Sequence, residues 1–487
     1  MPAPRSHKPI SSIQAWALAF GCVIGWGAFI MPGTSLLPVA GPFGSVAAMA
    51  ASTVLMLAIA GCYSFMVGKH PVGGGAFTYA LKTFGRTHGY ICGWFLVFAY
   101  VTIIPMNATA LSLVSRNLMD NLLEIGPSYS VAGYETFLPE LLLALVVLAI
   151  VAFLLVRGVR VVVHLQVVFA LCLLVGVAGV IIGVFTSPAA SPENLQPLYG
   201  PQEGFPLLGF AAIVAVAPWA FLGFDCVTLF GGETSAGTRG IGLVMLIAIL
   251  LGFAVYALLC VVAVMVVPAG YPSWVEYIAD LPNLGGAAAV PVFNAAAVTL
   301  GETGRILLEI GTLGAVFTGI IGFFIASTRL IFCMAQEDLL PEWFKASDPT
   351  YGTPRHAIFF VFLVSMVACC FGRDVLGWLL DISAVGGAIA FLYTSLAVWK
   401  NARGESRPGW LLLGGFCALA SAAFIFLLVT PITAINSVLS PGSYVFMVAW
   451  IALGINFFTP EYQASPTGIQ NMPDDFDELP EEARLLH

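Results

Sequence analysis

The sequence predicts an all-α polytopic membrane protein of about twelve transmembrane helices. Three observations predict it. Of 487 residues, 59% are hydrophobic and 9% are charged, whereas a soluble domain carries about 25% charged residues. Apolar stretches near the ~20 residues needed to cross a bilayer recur along the chain, at 13–38, 43–68, 87–114, 138–157, 163–186, 207–232, 240–267, 306–335, 355–372, 376–399, 409–430 and 441–459. With that span count, fifteen of the 18 Lys and Arg residues fall on the side of the N-terminus. Only Arg116, Arg305 and Arg373 fall on the other side. Basic loops stay inside, so both termini are expected in the cytoplasm. Removing one span would mix the two sets, so the asymmetry also supports the count.

Other global features exclude little. The formal net charge of −8 comes largely from outer loops and the C-terminal tail and points to no nucleic acid. The ten Cys sit mostly in apolar runs and lack metal-like or disulfide-framework spacing. Cys22, Cys62, Cys172, Cys260, Cys369 and Cys370 read as small packing residues. The first apolar segment is long and lacks a small-residue cleavage site, so no signal peptide is expected.

In chain order, residues 1–12 form a short polar lead with Arg5 and Lys8. The first span is interrupted at Gly25-Trp26-Gly27-Ala28-Phe29-Ile30-Met31-Pro32-Gly33. Gly costs a helix about 1 kcal/mol and Pro about 3. In lipid, loosened backbone is tolerated only where protein buries it or a cavity borders it. The competing reading is a glycine-lined helix contact, since Gly21 and Gly25 have G-x-x-x-G spacing. The sixth span breaks similarly at Ala217-Pro218-Trp219-Ala220-Phe221-Leu222-Gly223-Phe224-Asp225. Two interrupted spans in equivalent places of two five-span halves point to a ligand site at mid-membrane. Among the loops, 71–79 joins spans 2 and 3 inside. Loop 268–304 is a long outer connection with room for a short re-entrant or amphipathic helix, and 335–354 joins spans 8 and 9 inside. From Pro460 the chain is acidic and reads as a disordered tail.

These segments carry a resemblance. Ile24-Gly25-Trp26-Gly27-Ala28-Phe29 with Pro32-Gly33 is similar to the first-helix signature of the amino acid–polyamine–organocation permeases. Pro71, Gly73-Gly74 and Tyr79 resemble their first inner loop. Phe221-Leu222-Gly223-Phe224-Asp225, then Glu233-Thr234 and Arg239, resembles their sixth helix and the loop after it. Gln336-Glu337-Asp338-Leu339-Leu340-Pro341 and Thr353-Pro354 resemble the loop between helices 8 and 9. The resemblance implies a leucine-transporter-type fold: a 5+5 inverted repeat with broken helices 1 and 6, here 13–186 and 207–400, plus two additional C-terminal helices, 409–459, and the tail 460–487. It also places a binding site on Val23, Gly25, Trp26, Gly27, Ala28, Asn107, Trp219, Phe221, Leu222 and Gly223. The carbonyls of Val23, Trp219 and Leu222 would take an ammonium. The N–H groups of Trp26, Gly27 and Ala28 would take a carboxylate, as helix starts favour anions.

Individual residues carry two readings each. Trp26 stands where the family has a small residue, so its ring either packs away or fills part of the pocket. Trp219 is placed to close over the cargo, against an interfacial role. Asp225 is a carboxylate inside a span, expected to gate or couple transport, or else to cap the second half of span 6. Asn107 and Tyr100 either face the pocket or join helices. Arg305 and Glu309 are expected to form an ion pair, and Asp381 to pair with Arg373 or to border an access path. His164 reads as an interfacial residue. Proton-coupled relatives carry a Lys in mid-span 5; the matching position is Leu173, and span 5 has no Lys. Thr318, Ser327 and Thr328 could offer hydroxyls to sodium, although such hydroxyls more often bond back to their own helix.

The reading is a secondary transporter moving a small neutral amino acid across the cytoplasmic membrane, as exchanger or proton-linked symporter. The alternative is an amine or polyamine permease of the same fold. A membrane-embedded enzyme lacks a paired catalytic set in the spans, and a sensor lacks an appended signalling domain. The expected partners are an amino acid or amine, lipid and a proton, with sodium ranked lower. No cofactor and no metal ligands are expected.

Overall fold

The computed structural model describes residues 10–119, 121–200, 205–235, 237–430 and 439–458. Arg5, Lys8, Arg484, most of the lead and the acidic tail lie outside the described residues. Long apolar helices dominate, and eight are long and apolar enough to cross a membrane. Shorter or interrupted helices fill the remaining expected places. The protein is an all-α polytopic membrane protein.

Span 1 begins at Ser12–Val23. A capping box starts it: the Ser11 hydroxyl accepts from the Gln14 N–H at 3.4 Å, and Gln14 Oε1 accepts from the Ser11 N–H at 3.0 Å. This satisfies two donors that a helix start leaves open. The span resumes at Gly27–Met31, then passes through a wider turn, Pro32–Leu36. Helix continues in Leu37–Lys69 and turns at Gly41, where φ is 66° and ψ 179°. A side chain there would stand 2.4 Å from the backbone of Gly200, so glycine permits both the turn and the close approach.

Span 3 is Arg86–Ala108 and Ala110–Leu118, interrupted at Thr109 beyond Pro105. Spans 4 and 5 are Leu138–Val156 and Val159–Thr186. Span 6 comes in three pieces, Leu207–Ala215, Ala217–Ala220 and the 3-10 helix Phe224–Glu233. Then follow Gly237–Met265, Glu302–Gln336, Arg355–Cys369, Gly372–Gly404, Pro408–Val429 and Pro441–Phe457. The long loop 268–304 holds two short helices, Trp274–Asp280 and Pro291–Leu300. A hairpin not expected from the sequence lies between spans 3 and 4: β1 (Ser128–Val131) pairs antiparallel with β2 (Tyr134–Phe137).

Exposed apolar side chains such as Val146, Phe153, Val175, Ile182, Leu412, Leu419 and Ile455 coat the outside of the bundle, as lipid requires. Buried polar residues concentrate instead on spans 2, 3, 6, 8 and 10. Arg305 pairs with Glu309 at 2.5 Å, as expected. Asp381 does not pair with Arg373. It accepts from the Ser443 hydroxyl at 2.8 Å and the Ser440 N–H at 3.5 Å. The reason is that span 12 packs against the first part of span 10 and supplies nearer donors.

Candidate functional site

The breaks in spans 1 and 6 lie against each other. Span 1 leaves the helical path at Ile24, where φ is −112° and ψ 90°. It recovers at Gly27, so the unwound stretch covers 24–26, slightly earlier than the sequence suggested. Span 6 unwinds at 221–223, and Gly223 adopts φ 107°, ψ −13°. A Cβ on Gly223 would stand 2.3 Å from Cys22 Cβ, and one on Gly27 would stand 3.0 Å from the Trp219 ring. The two backbones therefore approach as closely as glycine allows. Gly25, Gly27 and Trp219 remain partly accessible in surroundings that are otherwise buried.

Side chains around the breaks point away from this contact. Val23 and Phe221 both pack on Gly252 of span 7, and Leu222 packs on Gly387 of span 10. The Trp26 ring stands edge-on to Phe293 of helix Pro291–Leu300 at 5.8 Å and beside Phe29 at 6.3 Å. It belongs to a buried aromatic cluster beneath loop 268–304, the packing alternative of the two. What remains at the centre is backbone, the Trp219 ring and few polar groups. Among the described residues, the N–H groups of Gly25 and Gly27 and the carbonyls of Val23 and Leu222 have no hydrogen-bond partner. The first two are open donors and the last two open acceptors.

Some groups expected to meet cargo are already engaged. The Trp26 N–H donates to Asn107 Oδ1 at 3.4 Å, and the Ala28 N–H donates to the Gly25 carbonyl at 3.1 Å. Asn107 is held in that orientation, since its Nδ2 donates to the Ile103 carbonyl at 3.0 Å. Its amide is wedged between Gly25 and Gly319 of span 8. The Trp219 carbonyl accepts from the Leu222 N–H at 3.2 Å. The donor and acceptor sets implied by the resemblance are thus smaller here, because the unwound turns bond partly to themselves and to span 3.

Asp225 is buried and has three donors. Its Oδ2 accepts from Tyr100 at 2.6 Å and from Tyr63 at 3.5 Å, and its Oδ1 accepts from the Gly223 N–H at 3.2 Å. It ties span 6 to spans 2 and 3 and caps the break in one arrangement. No cationic side chain pairs with it among the described residues.

One polar residue on span 5 was missed as a site. Gln166 is fully buried, and its Nε2 donates to the Ala17 carbonyl at 3.2 Å and the Thr318 carbonyl at 3.1 Å. A neutral amide thereby joins spans 1, 5 and 8. Leu173, at the position compared with the family lysine, packs on Gly314 instead. The hydroxyls of Thr318, Ser327 and Thr328 donate to carbonyls one turn back, at 2.9, 2.6 and 2.9 Å. Gln166→Leu is expected to lower stability by about 1–2 kcal/mol, since two bonds of about 1 kcal/mol net each are lost. Thermal unfolding in detergent checks this; an unchanged Tm would mean that the tie is not made.

The end of span 6 is gripped from several sides. Arg329 of span 8 donates to the Leu229 carbonyl at 3.0 Å, pairs with Glu233, and stacks over Phe230 at 4.3 Å. Gly74 of the loop between spans 2 and 3 donates to the Leu229 carbonyl at 3.4 Å. Ile10 donates to the Glu233 carbonyl at 2.9 Å, and the Ser235 N–H donates back to Ile10. The loop after span 8 is anchored by Arg86, which donates to the carbonyls of Glu337 and Asp338 at 3.0 Å each. Burial pushes the Glu337 carboxyl above its ordinary range, opposed by Lys82 and Arg86.

Two broken helices that meet by backbone inside a helical membrane bundle are an arrangement in which carriers hold their cargo. The sequence profile of the amino acid permease family matches residues 10–457, and the chain belongs to that family. It is similar to the methylthioribose transporter of Bacillus subtilis (strain 168), 27% identical over 405 residues and 80% of each chain. It is also similar to the branched-chain amino acid permease BcaP of Lactococcus lactis subsp. cremoris (strain MG1363), 23% identical over 80% of this chain and 81% of the other. The serine/threonine exchanger SteT of Bacillus subtilis (strain 168) is 24% identical over 86% of this chain and 90% of its own. The protein is an amino acid transporter of the membrane, not an enzyme.

Proposed function

We propose that this transporter moves a small amino acid with an uncharged side chain across the cytoplasmic membrane, with both termini in the cytoplasm. It works by alternating access between two five-helix repeats, 13–186 and 207–400, as an exchanger or a proton-linked symporter. The observation that carries this reading is the pair of facing breaks, with the Gly25 N–H open on one and the Leu222 carbonyl open on the other. A zwitterion needs a donor for its carboxylate and an acceptor for its ammonium. Hydrogen bonds to such charged groups are worth about 1.5–3 kcal/mol each.

A second cationic group on the cargo finds no spare partner. Asp225 is the one carboxylate at the break, and it already serves Tyr100, Tyr63 and Gly223. A polyamine or arginine is disfavoured for that reason. The Trp26 ring packs with Phe29 and Phe293, which removes the main argument for a carboxylate-free amine. Sodium is kept as the second-ranked coupling ion: the span 8 hydroxyls donate to their own helix, which leaves their oxygens able to accept.

Competition in proteoliposomes tests the cargo. A small neutral amino acid should outcompete its own decarboxylated amine by about tenfold or more, since one lost charge-assisted bond is worth at least 1.4 kcal/mol. An amine that competes equally would overturn the carboxylate half of the site.

A further inference from the structure

A narrow apolar groove lies between spans 3, 9, 10 and 12, away from the breaks. Its volume is about 150 Å³. Val97, Val101 and Pro105 of span 3 form its floor, a stripe at steps of four residues. Phe360, Val364 and Ala368 form a matching stripe on span 9, with Leu379 of span 10 and Trp450 of span 12 beside them. The floor is buried, Val97 at 3% and Val101 at 6% exposure. The residues on spans 9, 10 and 12 form a partly exposed rim.

The groove opens onto the side of the bundle that faces lipid. Phe359, Leu363 and Val367 flank it on span 9, and Val448 and Ile451 on span 12, all of them exposed. Water gains nothing inside, because no polar surface lines the space. The Thr102 hydroxyl donates to the Phe98 carbonyl at 3.0 Å, and the Trp450 indole N–H donates to the Trp94 carbonyl at 3.3 Å. A buried water needs about two to four polar partners. Shape narrows the choice of occupant further. Residues 97–105 advance about 12 Å along span 3, and 360–368 advance as far along span 9. That length is most of the ~15 Å of hydrocarbon in one leaflet. A helix is about 10 Å across, so a helix of a second copy cannot enter a space of this volume.

We propose that one acyl chain of a membrane phospholipid occupies this groove, lying lengthwise between spans 3 and 9. Left empty, the floor side chains would lose their contact atoms on one side. A saturated or unsaturated chain restores those contacts and needs no hydrogen bond. The groove also backs the functional centre. Tyr100 and Asn107, which hold Asp225 and the Trp26 N–H, stand two turns apart on another face of span 3. The chain therefore fills the space behind the one span that braces both breaks.

Photocrosslinking in proteoliposomes tests this, with a phosphatidylcholine that carries a diazirine within its acyl chain. Adducts are mapped by mass spectrometry of peptides. Lipid that merely surrounds the protein reaches Leu363 and Val367, whereas only a chain inside the groove reaches Val97 and Val101. Adducts on both pairs are expected. Ala368→Trp places a ring in the groove and should lose the adducts on Val97 and Val101 while keeping those on Leu363 and Val367. Should that variant fail to fold, Val364→Phe should give the same selective loss. Adducts confined to Leu363 and Val367 in the parent protein would overturn the proposal. Floor adducts that persist in a folded groove-filling variant would overturn it equally. Floor adducts that cholesterol removes and excess unlabelled phosphatidylcholine does not would assign the groove to a sterol instead.

Discussion

Gly223→Ala should abolish uptake in proteoliposomes, by about a hundredfold or more. Two costs combine. The residue sits at φ 107°, where a side chain costs roughly 1–2 kcal/mol. Its Cβ would fall 2.3 Å from Cys22 Cβ, and overpacking of this kind costs about 1–3 kcal/mol. Both atoms are fixed to backbone, so neither can swing aside, and the breaks must separate. Gly27→Ala is the control. Its Cβ would meet the Trp219 ring at 3.0 Å, a side chain that can turn, so a milder defect is expected. Adding Cys22→Gly to Gly223→Ala should restore part of the activity, because neighbouring sites that share a contact are not additive. Full uptake by Gly223→Ala alone would mean that the breaks do not approach during transport.

Replacement of Asp225 should have the other large effect, and the two obvious variants should differ in kind. Asp225→Leu leaves the Tyr100, Tyr63 and Gly223 donors facing an apolar side chain. Each buried donor left unpaired costs about 1–3 kcal/mol, so folded protein should be lost, as size-exclusion profiles would reveal. Asp225→Asn keeps an acceptor for Gly223 and should fold. If the carboxylate carries the proton, uptake by this variant should no longer depend on pH. A pH profile identical to that of the parent would leave Asp225 as a cap of span 6 and favour plain exchange.

Local patterns made several features of this protein readable without coordinates. Apolar run length gave the spans, because crossing lipid imposes a minimum length on every helix. Gly and Pro clusters located both breaks to within a few residues, because those residues weaken helix wherever they stand. The hairpin was also locally encoded. Tyr129, Val131, Tyr134 and Phe137 are strand formers flanking Ala132-Gly133, both at positive φ, a two-residue turn of the kind that closes hairpins. Attention to apolar run length alone passed it over.

Which polar groups are spent on structure and which are left for cargo was decided only by the tertiary arrangement. Asn107 reaches Trp26 across 81 positions in the chain, and Gln166 reaches Ala17 across 149. Neither partner is implied by a local pattern, since an amide in an apolar span bonds to whatever packing brings within about 3 Å. The same holds for Trp26, whose ring is received by Phe293 from a distant loop, and for Asp381, claimed by span 12. Read alone, the sequence shows a chain that crosses the membrane many times, is broken in spans 1 and 6 and resembles amino acid permeases. The fold decided that the facing breaks offer backbone groups and one aromatic ring, because long-range packing had already claimed most of the polar side chains around them.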